Sequence, residues 1–392
     1  MRMTQLKTIA DIQTGPFGSQ LHKEDYVETG TPIVTVEHLG NRVFTEQNLP
    51  RVSDSDKARL IKYTLSTGDI VFSRVGSVDR CSYVDKSHDG WMFSGRCLRV
   101  RPTELVDSLY LDYYFCLEET KQFVRNIAVG ATMPSINTKL LGEVEIALPD
   151  LNNQKRIAAV LSSLDDKIEN NQKLNDNLYE MVNAYYTSLF KENDCEMTTV
   201  GNYAERIYSG GTPMTSNAAY WNGTFGWFSS GETRNRFVIS TEKTITQAGI
   251  DNSSTKLATK YDIVMASAGQ GFTRGQTSML LIDTYVNQSV IVIKSERNIL
   301  PYLFWNLANR YDELRAISDS SSIRGSLTTK MIAAFEIPLA KAQSLQAFAD
   351  FAWSVIHQIE NNLLENERLT ALRDSLLPKL MSGEIDVSDI QL

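Results

Sequence analysis

Two kinds of hydrophobic pattern alternate along the chain. Through the first 140 or so residues, short apolar runs such as residues 31–36 and 69–73 are separated by Gly, Pro, Asn and Ser, a pattern typical of β-strands joined by turns. Residues 286–293 show the same strand-like pattern, and the apolar residues of 107–126 and 301–316 have helical spacing. The mixture predicts an α+β fold.

Two segments of about 40 residues instead predict long helices. When Ile157 and Phe348 are each taken as heptad position a, the residues at position a are mostly apolar over five heptads. The residues at position d are partly apolar and partly polar. The a columns contain Ile157, Leu164, Asn171, Leu178 and Tyr185, then Phe348, Val355, Asn362, Leu369 and Leu376. This pattern predicts two coiled-coil helices, each about 60 Å long at ~1.5 Å per residue.

Asn171 and Asn362 stand near the middle of their predicted helices. A buried Asn at an a position fixes the register of a helix pair at some cost in stability, so an antiparallel pairing would bring both residues to its centre. Alternatively, each faces solvent where the apolar seam drifts. Tyr179, Tyr186 and Leu363 lie outside the seam and would dock a partner's helices or pack on the neighbouring globular domain.

The chain is an internal repeat of about 190 residues. Residues 146–149 (IALP) match 337–339 (IPL), and 167–171 (KIENN) match 358–362 (QIENN), both at an offset of 191 residues. A period this long indicates domain-sized copies rather than a solenoid. We therefore predict globular domains at 1–150 and 198–340, and helices at 151–197 and 341–392. An antiparallel helix pair would hold the domains apart, related by a pseudo-twofold axis, as in a caliper.

Charge permits nucleic-acid binding but does not indicate it. The net charge is −8, and the two helical segments together contain 9 basic and 16 acidic residues, so they hold 7 of the 8 excess negative charges. The globular segments are close to neutral and could each present a basic face. The sequence has neither a membrane-length apolar run nor a secretory signal, and its four cysteines form no C-x-x-C pair. These features predict a cytoplasmic protein.

Motifs for catalysis are missing from this long sequence. No two prolines are adjacent, which excludes the Asn-Pro-Pro-aromatic loop of adenine methyltransferases, and there is no G-x-x-x-x-G-K-[ST] phosphate loop or H-E-x-x-H zinc motif. Asp150 with Asp165 and Lys167 formally fits a loose nuclease pattern. Asp165 and Lys167 fall inside the heptad helix, however, roughly 20 Å along it from Asp150. We therefore expect no catalytic residue and no metal site.

Five short motifs, ordered along the two copies, resemble the specificity subunits of type I restriction–modification enzymes. The strand-and-loop signature TGDIVFSRVG at 67–76 has a counterpart, YDIVMASAG, at 261–269. IALP at 146–149 followed by QKRIA at 154–158 is similar to the start of the family's spacer helix, and GPFGS at 15–19 and SGGTP at 209–213 resemble domain openings. The start of the second helix, at 341–348, lacks the family's Pro-x-x-x-Gln-x-x-Ile pattern. In the second copy, the position equivalent to Arg74 is Ala266 or Ser267, so no basic residue stands there.

The resemblance implies two α/β target-recognition domains separated by two long antiparallel spacer helices. It implies a non-catalytic subunit that reads a bipartite, asymmetric site in double-stranded DNA. Its expected partners are two methyltransferase subunits and the motor–nuclease subunits. S-adenosylmethionine, ATP and magnesium would be bound by those partners, and the chain itself would bind no cofactor. The alternative from the residues alone is a non-catalytic, two-domain ligand- or peptide-binding scaffold on a coiled-coil spacer.

The candidate DNA contacts are basic, amide and hydroxyl side chains, some of them in the two matching loops and the others elsewhere in the globular segments. Arg suits guanine O6 and N7, and Gln suits the adenine edge, each bidentate pair contributing ~1–3 kcal/mol of discrimination. The candidates are Arg74, Ser77, Arg80, Lys86 and Arg96 in the first copy, and Arg234, Arg236, Gln270, Thr273, Arg274 and Arg324 in the second. Each could instead be an ordinary solubilising surface residue.

Overall fold

A computed structural model describes residues 2–16, 18, 20–190, 196–269, 272–321, 325–388 and 390. The chain divides into two compact units. Unit 1 comprises Met1–Ile168 with Arg368–Leu392, and unit 2 comprises Glu169–Glu367. Each unit therefore contains one globular copy of the repeat and about half of each long helix. The boundaries predicted for the four segments remain a prediction.

Unit 1 is built on two four-stranded sheets and one antiparallel strand pair. Its strands are β1 (Arg2–Gln5), β2 (Ala10–Thr14), β3 (Tyr26–Val27), β4 (Thr31–Val34), β5 (Arg51–Val52), β6 (Ile70–Ser73), β7 (Cys81–Tyr83), β8 (Met92–Phe93), β9 (Cys97–Pro102) and β10 (Glu145–Leu148). The sheet orders are β2-β9-β6-β7 and β3-β5-β4-β8, and β1 pairs with β10. β6 is central and buried along its whole length, as its unbroken apolar run predicts.

Three of the described helices of unit 1 begin where a polar side chain caps their first turn. The helices are α1 (Asp54–Arg59), α2 (Ser108–Cys116), α3 (Glu118–Ile127) and α4 (Thr138–Leu141), followed by α5 (Leu151–Leu189), which continues into unit 2. Ser53, Asp107 and Asn137 accept hydrogen bonds from backbone N–H groups of α1, α2 and α4. The aromatic side chains of α2 pack on β6 and β9 and on the unit 1 parts of the long helices.

Unit 2 repeats this architecture. Its strands are β11 (Met197–Thr199), β12 (Ala204–Ser209), β13 (Trp221–Phe228), β14 (Phe237–Val238), β15 (Lys243–Ile245), β16 (Lys256–Ala258), β17 (Ile263–Ala266), β18 (Thr277–Leu280), β19 (Thr284–Val286), β20 (Val290–Ser295) and β21 (Glu336–Pro338). Its helices are α6 (Val200–Tyr203), α7 (Gln247–Asp251), α8 (Leu300–Asn309), α9 (Tyr311–Ser321), α10 (Thr329–Ala333) and α11 (Ala342–Ser382), the last ending in unit 1.

The order β12-β20-β17-β18-β14 reproduces β2-β9-β6-β7 with one strand added at the edge. The second sheet has the order β15-β13-β19-β16, and β11 pairs with β21 as β1 does with β10. The internal repeat predicted from the sequence is therefore present at the level of topology.

Within unit 2 the two long helices run antiparallel. Tyr185 of α5 packs on Phe348 and Phe351 of α11, whereas Asn175, ten residues earlier, accepts a hydrogen bond from Asn362 at 2.7 Å. Residue numbers therefore decrease along α5 as they increase along α11, so the two helices run in opposite directions. The predicted fold class, mixed α/β copies carried on long antiparallel helices, is confirmed.

Both a-position asparagines make hydrogen bonds from one helix to the other. Asn171 Nδ2 donates to Glu365 Oε2 at 2.7 Å and to Asn366 Oδ1 at 2.8 Å, and Asn362 Nδ2 donates to Asn175. Asn171 and Asn362 are both buried. These bonds fit a register device, because a slip by one helical turn would separate each donor from its acceptor.

Tyr179 and Tyr186 are buried in the main hydrophobic core of unit 2, and Leu363 packs against it. The sequence left open whether these residues dock a partner's helices or pack on the neighbouring globular domain. In the structure they pack on the globular domain. Among the described helices, none is long and apolar enough to cross a membrane.

Candidate nucleic-acid interface

Four segments of unit 1 meet at one end of the sheet that contains β6. The chain leaving β6 donates Arg74 N–H to Arg96 O at 2.9 Å, just before β9 begins. Gly15, after β2, donates to Cys97 O at 3.2 Å, and a Cβ at Gly15 would lie 2.1 Å from Ser94 O. Only glycine therefore allows the opening segment to lie this close to the turn before β9.

The fourth segment is a small hairpin that closes against the loop after β6. Val129 and Ser135 exchange backbone hydrogen bonds at 2.8 and 2.9 Å, and Gly76 donates to Pro134 O at 2.8 Å. The residues between Val129 and Ser135 are exposed, including Met133. This hairpin contains none of the motifs identified in the sequence, although its Gly and Pro residues are turn signals.

Four of the predicted residues of unit 1 lie together at this end. Arg74 is half-buried and donates Nη1–H to Gly95 O at 3.1 Å, whereas Ser77 and Arg96 are exposed. Arg80 is also exposed, its carbonyl accepts from Ser73 at 2.9 Å, and its Nη1 donates to Leu39 O at 3.2 Å. The arrangement presents guanidinium donors beside a hydroxyl, which are groups that bind base edges and phosphates.

Lys86 lies elsewhere. It follows β7, whose Tyr83 pairs with Ile70 at the start of β6, so Lys86 is at the opposite end of this sheet from Arg74. The structure therefore places Lys86 away from the loop that carries Arg74, Ser77 and Arg80.

The corresponding edge of unit 2 has the same backbone pattern. Ser267, after β17, donates to Ser289 O at 2.8 Å and accepts from Leu327 N–H at 2.8 Å. These bonds match those of Arg74 with Arg96 and with Ile136 N–H. The polar turn at Asn287–Ser289 places Gln288 on the surface, where Thr212 of the opening segment donates a hydrogen bond to it. Gln288 is a candidate that motif analysis missed.

The unit 2 candidates are not equivalent to one another. Thr273 is half-buried in the loop after β17, and its carbonyl accepts from Gln276 N–H at 2.8 Å. Arg274 is only 7% exposed; its guanidinium pairs with Asp319 of α9 and donates to Gly325 O at 3.1 Å. Arg274 thus fastens the loop to α9. Gln270 and Arg324 lie outside the described residues.

Arg234 and Arg236 line a polar groove beside α5 within unit 2. Arg234 pairs with Glu242, and the Arg236 guanidinium lies 4.3 Å from the centre of the Tyr179 ring and 3.6 Å from Asp176. About half of each arginine side chain remains exposed. Both are available to an anion, but they lie on the helix-facing side of β14 rather than in the loop after β17.

A charged cluster in unit 1 ties the β-sheet to both long helices. Arg42, in the left-handed conformation at φ 68°, donates Nε–H to Asp112 of α2 at 2.6 Å and Nη1–H to Asp165 of α5. Its guanidinium stacks 3.7 Å from the Tyr113 ring centre, and Arg373 of α11 donates to Asp165 at 2.6 Å. Asp165, part of the loose nuclease pattern, is therefore held in a structural ion-pair network.

The two carboxylates of this cluster respond differently to their surroundings. Burial raises the pKa of Asp112, and the Arg42 charge only partly offsets that effect. Burial acts in the same direction on Asp165, but hydrogen bonds from Tyr113 and Arg373, with the charge of Arg42, hold the Asp165 pKa below its usual value. Among the described residues, no group of three or more His, Cys, Asp or Glu side chains could hold a metal ion.

Comparison with known proteins agrees with this duplicated architecture. The model of the type I restriction modification DNA specificity domain matches residues 1–180 and again residues 194–371. The HindI specificity subunit of Haemophilus influenzae is 21% identical, over 83% of this chain and 88% of its own length. The MjaIX specificity subunit of Methanocaldococcus jannaschii is 24% identical, over 74% of this chain and 72% of its own.

A solved structure has the same fold. The type I restriction–modification S subunit from M. genitalium superimposes with a TM-score of 0.61 at 18% identity, covering 97% of this chain and 95% of that one. Two specificity domains in one chain define the class. The chain belongs to the family of type I restriction–modification specificity subunits, as predicted, and the comparisons favour DNA recognition over the alternative ligand-binding scaffold.

Proposed function

We propose that this chain reads a bipartite, asymmetric DNA sequence, one half-site through the sheet edge of each unit. The observation that carries the proposal is that one backbone arrangement occurs twice with different side chains. Arg74 and Arg96 occupy the positions that Ser267 and Ser289 occupy in unit 2. Because base readout depends on side-chain donors and acceptors, edges lined so differently would select different bases.

In the first half-site, Arg96 and Arg80 are the exposed guanidinium donors, and Ser77 adds a hydroxyl. Arg74 would make a direct contact by exchanging its bond to the Gly95 carbonyl for one to a base. Lys86, at the far end of the sheet, suits a phosphate better than a base edge. Phosphate contacts of this kind strengthen binding without carrying sequence information.

In the second half-site, Thr273 and Gln288 are the described polar groups at the edge, and Gln270 and Arg324 stay candidates from the sequence. Arg274 acts as an anchor for the loop, because a base contact would require its ion pair with Asp319 to open. Arg234 and Arg236 would contact phosphates flanking the half-site.

The chain itself performs no chemistry in this proposal. Two methyltransferase subunits, supplied with S-adenosylmethionine, would modify adenines in the target, and the motor–nuclease subunits would use ATP and magnesium. The specificity subunit binds no cofactor and orients these partners on the DNA in the cytoplasm. Titration of the partners against the chain, followed by mass measurement of the complex, tests the two-to-one ratio.

The recognition proposal is tested by the methylated motif. The chain is co-expressed with its methyltransferase partner, and modified adenines are mapped across a genome. We expect one split motif for the wild type. For Arg96→Ala, we expect relaxed selection at a base of one half only, with a loss of about 1–3 kcal/mol for that base.

Arg59→Ala is the matched control, since Arg59 is an exposed arginine of unit 1 on α1 that pairs with Asp56. It should leave the motif unchanged. An unchanged motif and unchanged affinity for both Arg74→Ala and Arg96→Ala would reject the assignment of this edge. The absence of any sequence-specific retention by the wild-type complex would reject the function.

A further inference from the structure

Phe272 is the most exposed of the large apolar side chains in the described part of the chain, at 84%. It lies in the loop after β17, at the edge proposed to face the second half-site. Isolated apolar side chains on a surface are common and often carry no function. The surroundings of Phe272 distinguish it from such residues.

The backbone that carries Phe272 is fastened to α9 at two places. Tyr311, the first residue of α9, donates Oη–H to Phe272 O at 2.6 Å. Two residues further along the loop, Arg274 pairs with Asp319 near the other end of α9. Phe272 and Arg274 are thus both held against the helix, and the phenyl ring is exposed to solvent. An aromatic ring presented on a fixed backbone loses little conformational entropy when it binds.

Guanidinium groups lie near the loop that carries the ring. Asp319 of α9 is paired with Arg274 and with Arg315, whose Nε lies 3.4 Å away. An exposed phenyl ring close to guanidinium groups matches the chemistry of DNA, which combines stacked bases with phosphates.

We propose that Phe272 inserts into the second half-site as a wedge and stacks on a base at a locally opened step. The inference rests on the proposed function and adds to it a contact made by a ring rather than by hydrogen bonds. An inserted side chain selects for base steps that are easy to unstack, because pyrimidine–purine steps unstack at a lower free-energy cost than other steps. The residue would therefore add selectivity at a step whose base edges no polar side chain touches.

The experiment uses the chain in complex with its methyltransferase partner and duplexes carrying 2-aminopurine at successive positions of the mapped motif. We expect the wild-type complex to raise the fluorescence at one position of the second half-site and at none of the first. Phe272→Ala should abolish that rise and weaken specific binding roughly 5- to 150-fold, as expected for loss of one stacked base. Phe272→Trp should retain both properties.

Leu257→Ala is the control, because Leu257 is an exposed apolar residue of unit 2 on β16 rather than on the loop. It should match the wild type. Wild-type fluorescence and affinity in Phe272→Ala would overturn the wedge while leaving the DNA assignment intact. Equal losses in Phe272→Ala and Leu257→Ala would also overturn it. If the wild-type complex shows no sequence preference, the proposed function itself fails.

Discussion

Replacement of Arg42 by Met should destabilise unit 1 strongly. Asp112 has no exposed surface, and Arg42 is its charge partner at 2.6 Å. Removing one member of a buried ion pair typically costs about 3–5 kcal/mol, because the remaining charge loses its partner without regaining water. Asp165 keeps its bonds to Arg373 and Tyr113, so the loss should be concentrated at Asp112. Met preserves the Cβ and much of the stem, so the left-handed backbone is strained equally in both proteins.

The effect should depend on pH in a defined direction. The folded pKa of Asp112 is already raised by burial, and loss of Arg42 removes a group that lowers it. A carboxyl whose folded pKa exceeds its unfolded value, ~3.9, contributes stability below that value and loses it as pH rises through the folded pKa. The deficit of Arg42→Met relative to wild type should therefore be smallest near pH 4 and grow toward neutrality.

Hydrogen exchange of peptides from α2, together with the thermal unfolding of the whole protein, measures the loss of stability around Asp112. Asp112→Asn combined with Arg42→Met should recover part of it, because the double variant buries no lone charge. Arg125→Met is the control, since Arg125 pairs with Asp79 and Glu118 at a partly exposed site, where the remaining carboxylates keep contact with water, and the variant should be close to wild type in stability. A single variant as stable as the wild type, or a double variant no better than the single, would refute the reasoning.

Three further outcomes are expected. Asn171→Ala should weaken the helix pair by about 1–3 kcal/mol, because two acceptors on α11 lose their donor and no larger apolar side chain replaces it; a rise in the unfolding temperature would contradict this. Gly210→Ala should reduce DNA binding, since a Cβ there lies 1.9 Å from a backbone carbonyl, whereas Gly231→Ala enters open space and should bind normally in the same gel-shift assay. Burial raises the pKa of Cys97 to about 12, so a thiol reagent at pH 8 should modify Cys97 only after unfolding; reaction at the rate of a free thiol would disprove it.

The elements with strong periodicity were predictable. The heptad columns located the two long helices, and the signature at 67–76 with its counterpart at 261–269 located the buried strands β6 and β17. Repeated motifs in the same order gave the duplicated architecture. These features depend on local pattern or on self-similarity, and both are present in one sequence.

The long-range contacts that hold unit 1 together were not predictable in the same way. Arg42 meets Asp112 and Asp165 across 70 and 123 residues, separations over which no pattern operates. One signal was available, since Asp112 is the lone carboxylate inside the otherwise apolar segment of α2 and would need a buried partner. The distance of Lys86 from Arg74 was not predictable either, because the antiparallel pairing of β6 with β7 carries Lys86 to the other end of the sheet.

The two sheet edges suggest how one fold can accommodate different target sequences. Arg74 N–H bonds to the carbonyl of Arg96 at 2.9 Å, and Ser267 N–H bonds to that of Ser289 at 2.8 Å. Because only main-chain atoms form these bonds, exchanging a serine for an arginine leaves the edge intact while replacing a short hydroxyl with a long bidentate donor. In the proposed interface, the loops could therefore change the bases they select without a large change in folding energy. In unit 2, Arg274 is committed to holding the loop, so the proposed selectivity of this unit would come from neighbouring polar groups and from the exposed ring of Phe272.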